Sequence, residues 1–182
     1  MSMTEMVIQM QRQISSQSER RKHGRNIETG TDNFVFWEAL DIQMEKLTEN
    51  MIHGAESKLD STAYAGWCLS FIEDALEICN GIEIFGGSSA KESCEMYYDA
   101  IQTGVPERGA FVFYNCLCPG ENAPVNWGHC GISLGGGRVI HVWDMVRIDD
   151  YLKIEKLTAL TGDHPEYLGW VPLKRVLNQK PY

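Results

Sequence analysis

The chain has 182 residues, a hydrophobic fraction of 43% and a formal charge of −9, enough for one domain with its own core and too little for two of ordinary size. The acidic excess argues against nucleic acid and against an anionic membrane surface as partners. No apolar run approaches the ~18 residues that span a bilayer, and the N-terminus has no basic-then-apolar leader, so synthesis as a cytoplasmic protein with no membrane span is expected.

Residues 1–30 carry five Lys/Arg against three Asp/Glu, so the acid lies in the body of the chain. Met3, Met6, Val7, Met10 and Ile14 recur at helical spacing and predict an amphipathic helix over residues 3 to about 20. After a linker-like stretch, Thr31 or Asp32 caps a second helix with Phe36, Leu40, Met44, Leu47 and Met51 on one stripe, reaching about His53. Residues 1–54 thus read as a helical N-terminal extension and 55–182 as the main domain. Gly66 breaks the pattern. From Cys68 onward, Leu69, Ile72, Leu76 and Cys79 interleave with Phe71, Ala75 and Ile78, the mark of a buried helix. Cys68 falls in its first turn. There, unpaired backbone N–H groups and the positive dipole end stabilise a thiolate; the competing reading is a small buried residue, the usual fate of a free cysteine.

Ser88 or Ser89 caps a short helix carrying Ala90, Cys94, Tyr97 and Ile101, stopped at Gly104-Val105-Pro106. Arg108–Tyr114 is a buried strand, and Asn115–Trp127 has the Gly and Pro of a surface loop. The six cysteines do not have the spacing of a disulfide scaffold. Cys116-x-Cys118 with His129-Cys130 fits none of the usual structural zinc patterns, so neither metal nor cofactor is expected. Next, two β-type runs flank Gly135-Gly136-Gly137, a hairpin signal with a histidine at each far end, His129 and His141. A three-residue loop sets His141 opposite Gly131 and puts both imidazoles on one face as diagonal neighbours; a two-residue loop separates them. Acidic Asp144, Asp149 and Asp150 follow, then a last strand over Tyr167–Leu173.

A cysteine opening a buried helix and two histidines on a later hairpin are the parts of a thiol hydrolase. Ala55-x-x-Lys58-Leu59, Tyr64-x-Gly66-Trp67-Cys68-x-Ser70-Phe71, Gly109-x-x-Val112-Phe113, His129-x-Gly131-Ile132-x-Leu134-Gly135 and Arg138-x-Ile140-His141 together resemble the NlpC-type cell-wall cysteine peptidases. They also resemble the related cysteine, histidine-dependent amidohydrolase/peptidase (CHAP) domains of phage lysins. The resemblance covers roughly residues 55–173. It departs at Trp67-Cys68-Leu69, where the family has Asp-Cys-Ser, and at Ala110, where an acidic residue is common.

The resemblance implies an α+β fold with a papain-like core, the cysteine helix packed on an antiparallel sheet. It makes Cys68 the nucleophile, His129 the general base and acid and His141 the orienting member, with the Cys68 N–H in an oxyanion hole. Tyr64, Trp67 and Trp127 would line the substrate site. The implied reaction is hydrolysis of amide bonds in peptidoglycan stem peptides through an acyl-thioester, by a phage-borne lysin, a tail-associated enzyme or a delivered toxin reaching the wall after lysis or delivery. The implied partners are that peptide substrate and a second copy or an inhibitor or immunity protein. Two rivals stay open: a papain-like deamidase or acyltransferase acting on protein or lipid, and a catalytically dead binding module.

Overall fold

The computed structural model describes residues 31–178. The helix expected over residues 3–20 lies outside them. Helix α1 spans Thr31–Glu56. Its buried residues Leu47, Met51 and Ala55 recur every four positions, while Asp41, Glu45 and Glu49 stay exposed. That stripe packs against α2, Cys68–Asn80, which buries Leu69, Phe71, Ile72, Ala75 and Leu76. The helices cross closely at Gly54, where a Cβ would lie 2.3 Å from Cys79 Sγ. Beside the crossing, Asn80 donates to the carbonyls of Leu47 (3.2 Å) and Leu76 (2.9 Å) and accepts from Asn50 Nδ2 (3.1 Å), which satisfies its buried amide. Gly81, at φ 61°, ends α2 in the left-handed region that glycine adopts freely. Each large side chain buried here contributes about 1.5–3 kcal/mol, and α1 shares one core cluster with α2 and the sheet.

A short helix α3, Ala90–Met96, begins at Ser89, whose hydroxyl accepts from the Glu92 N–H while Glu92 accepts from the Ser88 N–H. It ends sooner than its apolar spacing predicts, giving way to a 3₁₀ turn at Tyr98–Ala100. The sheet has five antiparallel strands in the order β6-β5-β4-β1-β7: β1 Phe111–Asn115, β4 His129–Gly135, β5 Arg138–Val142, β6 Val146–Asp150 and β7 Glu166–Val171. A two-stranded ribbon, β2 Leu117–Cys118 and β3 Val125–Asn126, stands inside the expected loop. Strand β1 starts later than Arg108, because Gly109 turns there at φ 82°. The last strand stops at Val171, since Pro172 has no N–H to continue the ladder and instead opens α4, Leu173–Val176.

The result is an α+β fold with four α-helices among the described residues. Side chains alternate across the sheet. Phe111, Phe113, Cys130, Ile132, Ile140 and Val142 meet the helices, and Val112, Tyr114, Val139 and Trp170 form a smaller cluster with Ile154. No described helix is long and apolar enough to cross a membrane.

Candidate active site

Cys68 is the first residue of α2, and Trp67 before it supplies no side-chain cap. The N–H groups of this first turn have no partners within the helix, so the sulfur sits where partial positive charge gathers. The side chain is partly exposed and packs against the main core. It comes near the first two residues of β4. The Cys130 thiol and backbone N–H and the His129 ring lie close enough to act on the ionisation of the Cys68 sulfur. Hydrogen bonding from the Cys130 thiol leads in pulling the Cys68 pKa well below the ordinary thiol value; His129 adds to it against the opposing effect of burial. Burial acts the other way on its neighbours, raising Cys94 to about 11 and Cys116 to about 12 and pushing up Cys118 and Cys130. Among these five, Cys68 alone is poised to be a thiolate.

The hairpin β4–β5 decides whether the two histidines meet. Gly131 pairs with His141, Ile132 with Ile140 and Ser133 with Val139; the register then shifts, and Gly135 pairs with Arg138. The turn proper is therefore two residues, Gly136 and Gly137, both at positive φ. The extra residue of a β-bulge restores the register that a three-residue loop would give. His129 and His141 thus stand diagonally across the ladder, 2.9 Å from Nε2 to Nδ1, with rings nearly perpendicular at 82°. Gly131 lies directly opposite His141. A Cβ there would come within 2.7 Å of the Ile140 carbonyl and 2.9 Å of His141 Cβ, so only glycine leaves room for this crossing.

The relay continues beyond the expected pair. His141 Nε2 lies 3.0 Å from Asp149 Oδ2 on β6, and Asp149 is gripped by Arg147 through Nε (2.6 Å) and Nη2 (3.3 Å). Burial, with the charge of His129 adding, drives the His141 pKa down to about 4 against the pull of Asp149, so the ring is neutral near pH 7. The bond from His141, helped by Arg147, holds Asp149 at about 2, fully ionised. An ionised carboxylate accepts only, which fixes the proton of neutral His141 on Nε2. Its bare Nδ1 then accepts from His129 Nε2–H, and His129 Nδ1 is left to take a proton from Cys68. Tyr114 (5.9 Å between centroids) and the edge-on Trp143 (5.3 Å) hold the His129 ring from two sides.

Cys68, His129 and His141 are therefore brought together. The Tyr64 hydroxyl donates to Asp74 Oδ2 at 2.8 Å, nearly two turns along α2. Trp67 and Trp127 remain 67% and 51% exposed, beside Cys68 and His129 in the chain. Asn126 anchors that entry to β4, its Oδ1 accepting from the N–H groups of Cys116 (3.0 Å) and Gly128 (2.9 Å). Asp144, the other acid near the hairpin, is exposed and bonds the Met145 N–H instead of a histidine. Sequence reasoning missed Cys130, Asp149 and Arg147. The one available signal was the alternation Arg147-x-Asp149 at strand spacing after the hairpin. Among the described residues no group of three or more His, Cys, Asp or Glu is arranged to hold a metal ion. No family model and no curated protein matches this chain, so its chemistry is read from the relay Cys68–His129–His141–Asp149.

Proposed function

We propose that the protein is a papain-like cysteine hydrolase of the NlpC type that cleaves amide bonds in peptidoglycan stem peptides. The observation that carries this reading is an imidazole locked by a second, carboxylate-bound imidazole, near a thiol at a helix N-terminus whose pKa it helps to lower. Nucleophile, base and orienter in hydrogen-bond series are what acyl transfer requires. His129 Nδ1 takes the Cys68 proton, and the thiolate attacks the amide carbonyl. First-turn N–H groups of α2 stabilise the oxyanion. The tetrahedral adduct collapses to a thioester as His129 returns its proton to the departing amine. His129 then deprotonates a water that attacks the thioester, releasing the acid and the thiol.

Each step draws on a proton that the relay can hold, which favours an active enzyme over a binding module. The exposed indoles of Trp67 and Trp127 offer a surface for the substrate chain beside the nucleophile. The choice of peptidoglycan rests on the motif resemblance. Incubation with purified sacculi, followed by mass analysis of released muropeptides, tests it. Wild type should release fragments with newly freed stem-peptide termini, and Cys68→Ala should release none. Identical muropeptide profiles from both would overturn the reading.

A further inference from the structure

The sheet ladder that carries the two histidines stops at the base. Tyr114 of β1 pairs with His129, the first residue of β4, and past that pair β1 continues its ladder with β7, through Asn115 and Glu166. Trp127 and Gly128 lie outside the strands, and a strand end without ladder partners frays. Side chains take over there. Asn126 Oδ1 accepts from the N–H groups of Gly128 (2.9 Å) and Cys116 (3.0 Å), so one oxygen joins the end of β1 to the entry of β4. From another side the Lys91 N–H donates to the Trp127 carbonyl at 2.9 Å. Gly128, at φ 71°, lies so close to α3 that a Cβ would come within 2.6 Å of Lys91 N.

The Asn126 amide is itself oriented. Its Nδ2 donates to Asn115 Oδ1 (2.8 Å), and Asn115 Nδ2 donates to Glu166 Oε2 (3.1 Å). A carboxamide can turn either end outward, whereas a carboxylate only accepts. Glu166 therefore takes the N–H side of Asn115, which leaves the Asn115 oxygen for Asn126 Nδ2 and the Asn126 oxygen for the backbone. The chain runs inward from exposed Glu166 through half-buried Asn115 and Asn126 to buried Gly128 and His129.

We infer that Asn126 is a positioning residue for the base: its carboxamide, oriented by Glu166 through Asn115, fixes the backbone that delivers His129. The arrangement mirrors the one on the ring, where Asp149 sets the proton of His141. Two acceptor-only groups thus orient His129, one through its imidazole and one through its backbone. Without the Asn126 oxygen, the N–H groups of Gly128 and Cys116 lose this partner and the entry of β4 can shift. A displacement of about 1 Å at a reacting group can cost on the order of 10²-fold in rate.

This inference rests on the hydrolase reading only in taking Cys68 and His129 as a pair, whatever the substrate. The test is the pH profile of Cys68 alkylation by iodoacetamide in the full chain, with kcat on a muropeptide and the urea midpoint measured alongside. Fragment spectra separate Cys68 from Cys79 in the tryptic peptide between Lys58 and Lys91. A merely structural role would lower the urea midpoint and leave the alkylation profile in place. Asn126→Ala should instead move the profile up toward that of an ordinary thiol and cut kcat at least about tenfold. Asn126→Asp keeps an oxygen for both N–H groups and should recover most of that loss. Glu166→Ala, at the exposed end of the chain, removes no buried group and should lower kcat by a smaller factor, about two- to fivefold. It carries the test even where Asn126→Ala does not fold. A folded Asn126→Ala with the wild-type profile and kcat, an Asn126→Asp no better than Asn126→Ala, or a Glu166→Ala that matches wild type would overturn it. If the profile moves in Asn126→Ala while wild type leaves sacculi intact, the hydrolase reading fails alone. If wild type digests sacculi and Asn126→Ala alkylates and turns over like it, this inference fails alone.

Discussion

His141 carries two hydrogen bonds of opposite sense, accepting at Nδ1 from His129 and donating at Nε2 to Asp149, and this sets what can replace it. A glutamine amide also has an acceptor and donors on one rigid group; asparagine is a methylene shorter and strains to serve both partners. Turnover should therefore fall in the order wild type, His141→Gln, His141→Asn, His141→Ala, the last losing on the order of 10²-fold or more. Asp149→Asn keeps the shape but can offer an N–H to His141 Nε2, which favours the wrong tautomer, and a loss of similar size is expected from it. Rates on one muropeptide substrate decide the matter. Wild-type rates in all four variants would mean that the relay does not orient His129.

At the scale of elements, the hairpin is where one residue decides function. A two-residue turn alone would send the histidines to opposite faces, and the bulge between Ser133 and Gly135 brings them back. The consequence is concentrated at Gly131, whose missing side chain gives His141 its space. Gly131→Ala should cost about 1–3 kcal/mol from overpacking and depress turnover, because the added methyl pushes on His141 itself. Gly136→Ala is the control: its φ of 62° is strained for alanine, but nothing lies within 4 Å of its Cβ. It should cost about 1–2 kcal/mol and leave the rate alone. Urea midpoints and turnover measured on both variants separate strain in the turn from displacement of the relay. Equal rates in both would show that Gly131 does not set the position of His141.

The stability of the whole molecule toward acid follows from a buried histidine and a half-buried glutamate that pull in opposite directions. His141 titrates near 6.5 when unfolded and near 4 when folded, so between those values the unfolded chain binds more protons and stability falls as pH falls. Glu73 behaves inversely: burial first, then the charge of Glu77, raises it to about 7 from 4.5, so the folded chain binds more protons and stability rises as pH falls through that window. The wild type should therefore change little between pH 7 and 4.5. Glu73→Gln should lose stability over the same range, on the order of 3 kcal/mol by pH 4, and His141→Gln should gain. Below pH 4, Asp149, held near 2 against 3.8 unfolded, adds a further loss as it protonates. Urea titrations at half-unit pH steps read these slopes. Parallel curves for wild type and both variants would refute the assignment.

The elements that the sequence determined by itself are those whose signals are local. The α1 and α2 stripes repeat every turn, so one buried face could be read directly, and Ser89 needed only Glu92 three residues on to form its cap. The two histidines were legible as a candidate pair, because three glycines confine the turn between them, but the bulge that puts both on one face was not. Tertiary structure alone decided the rest. Val146-Arg147-Ile148-Asp149 alternates for only four residues and does not say which strand it joins, so only its pairing with β5 aims Asp149 at His141. Cys130 reads as one more small core residue until α2, which begins 62 residues earlier, docks on the sheet and brings Cys68 near it. Both depend on contacts between segments that no sequence period relates: local geometry fixes where a side chain points, and packing fixes what it meets.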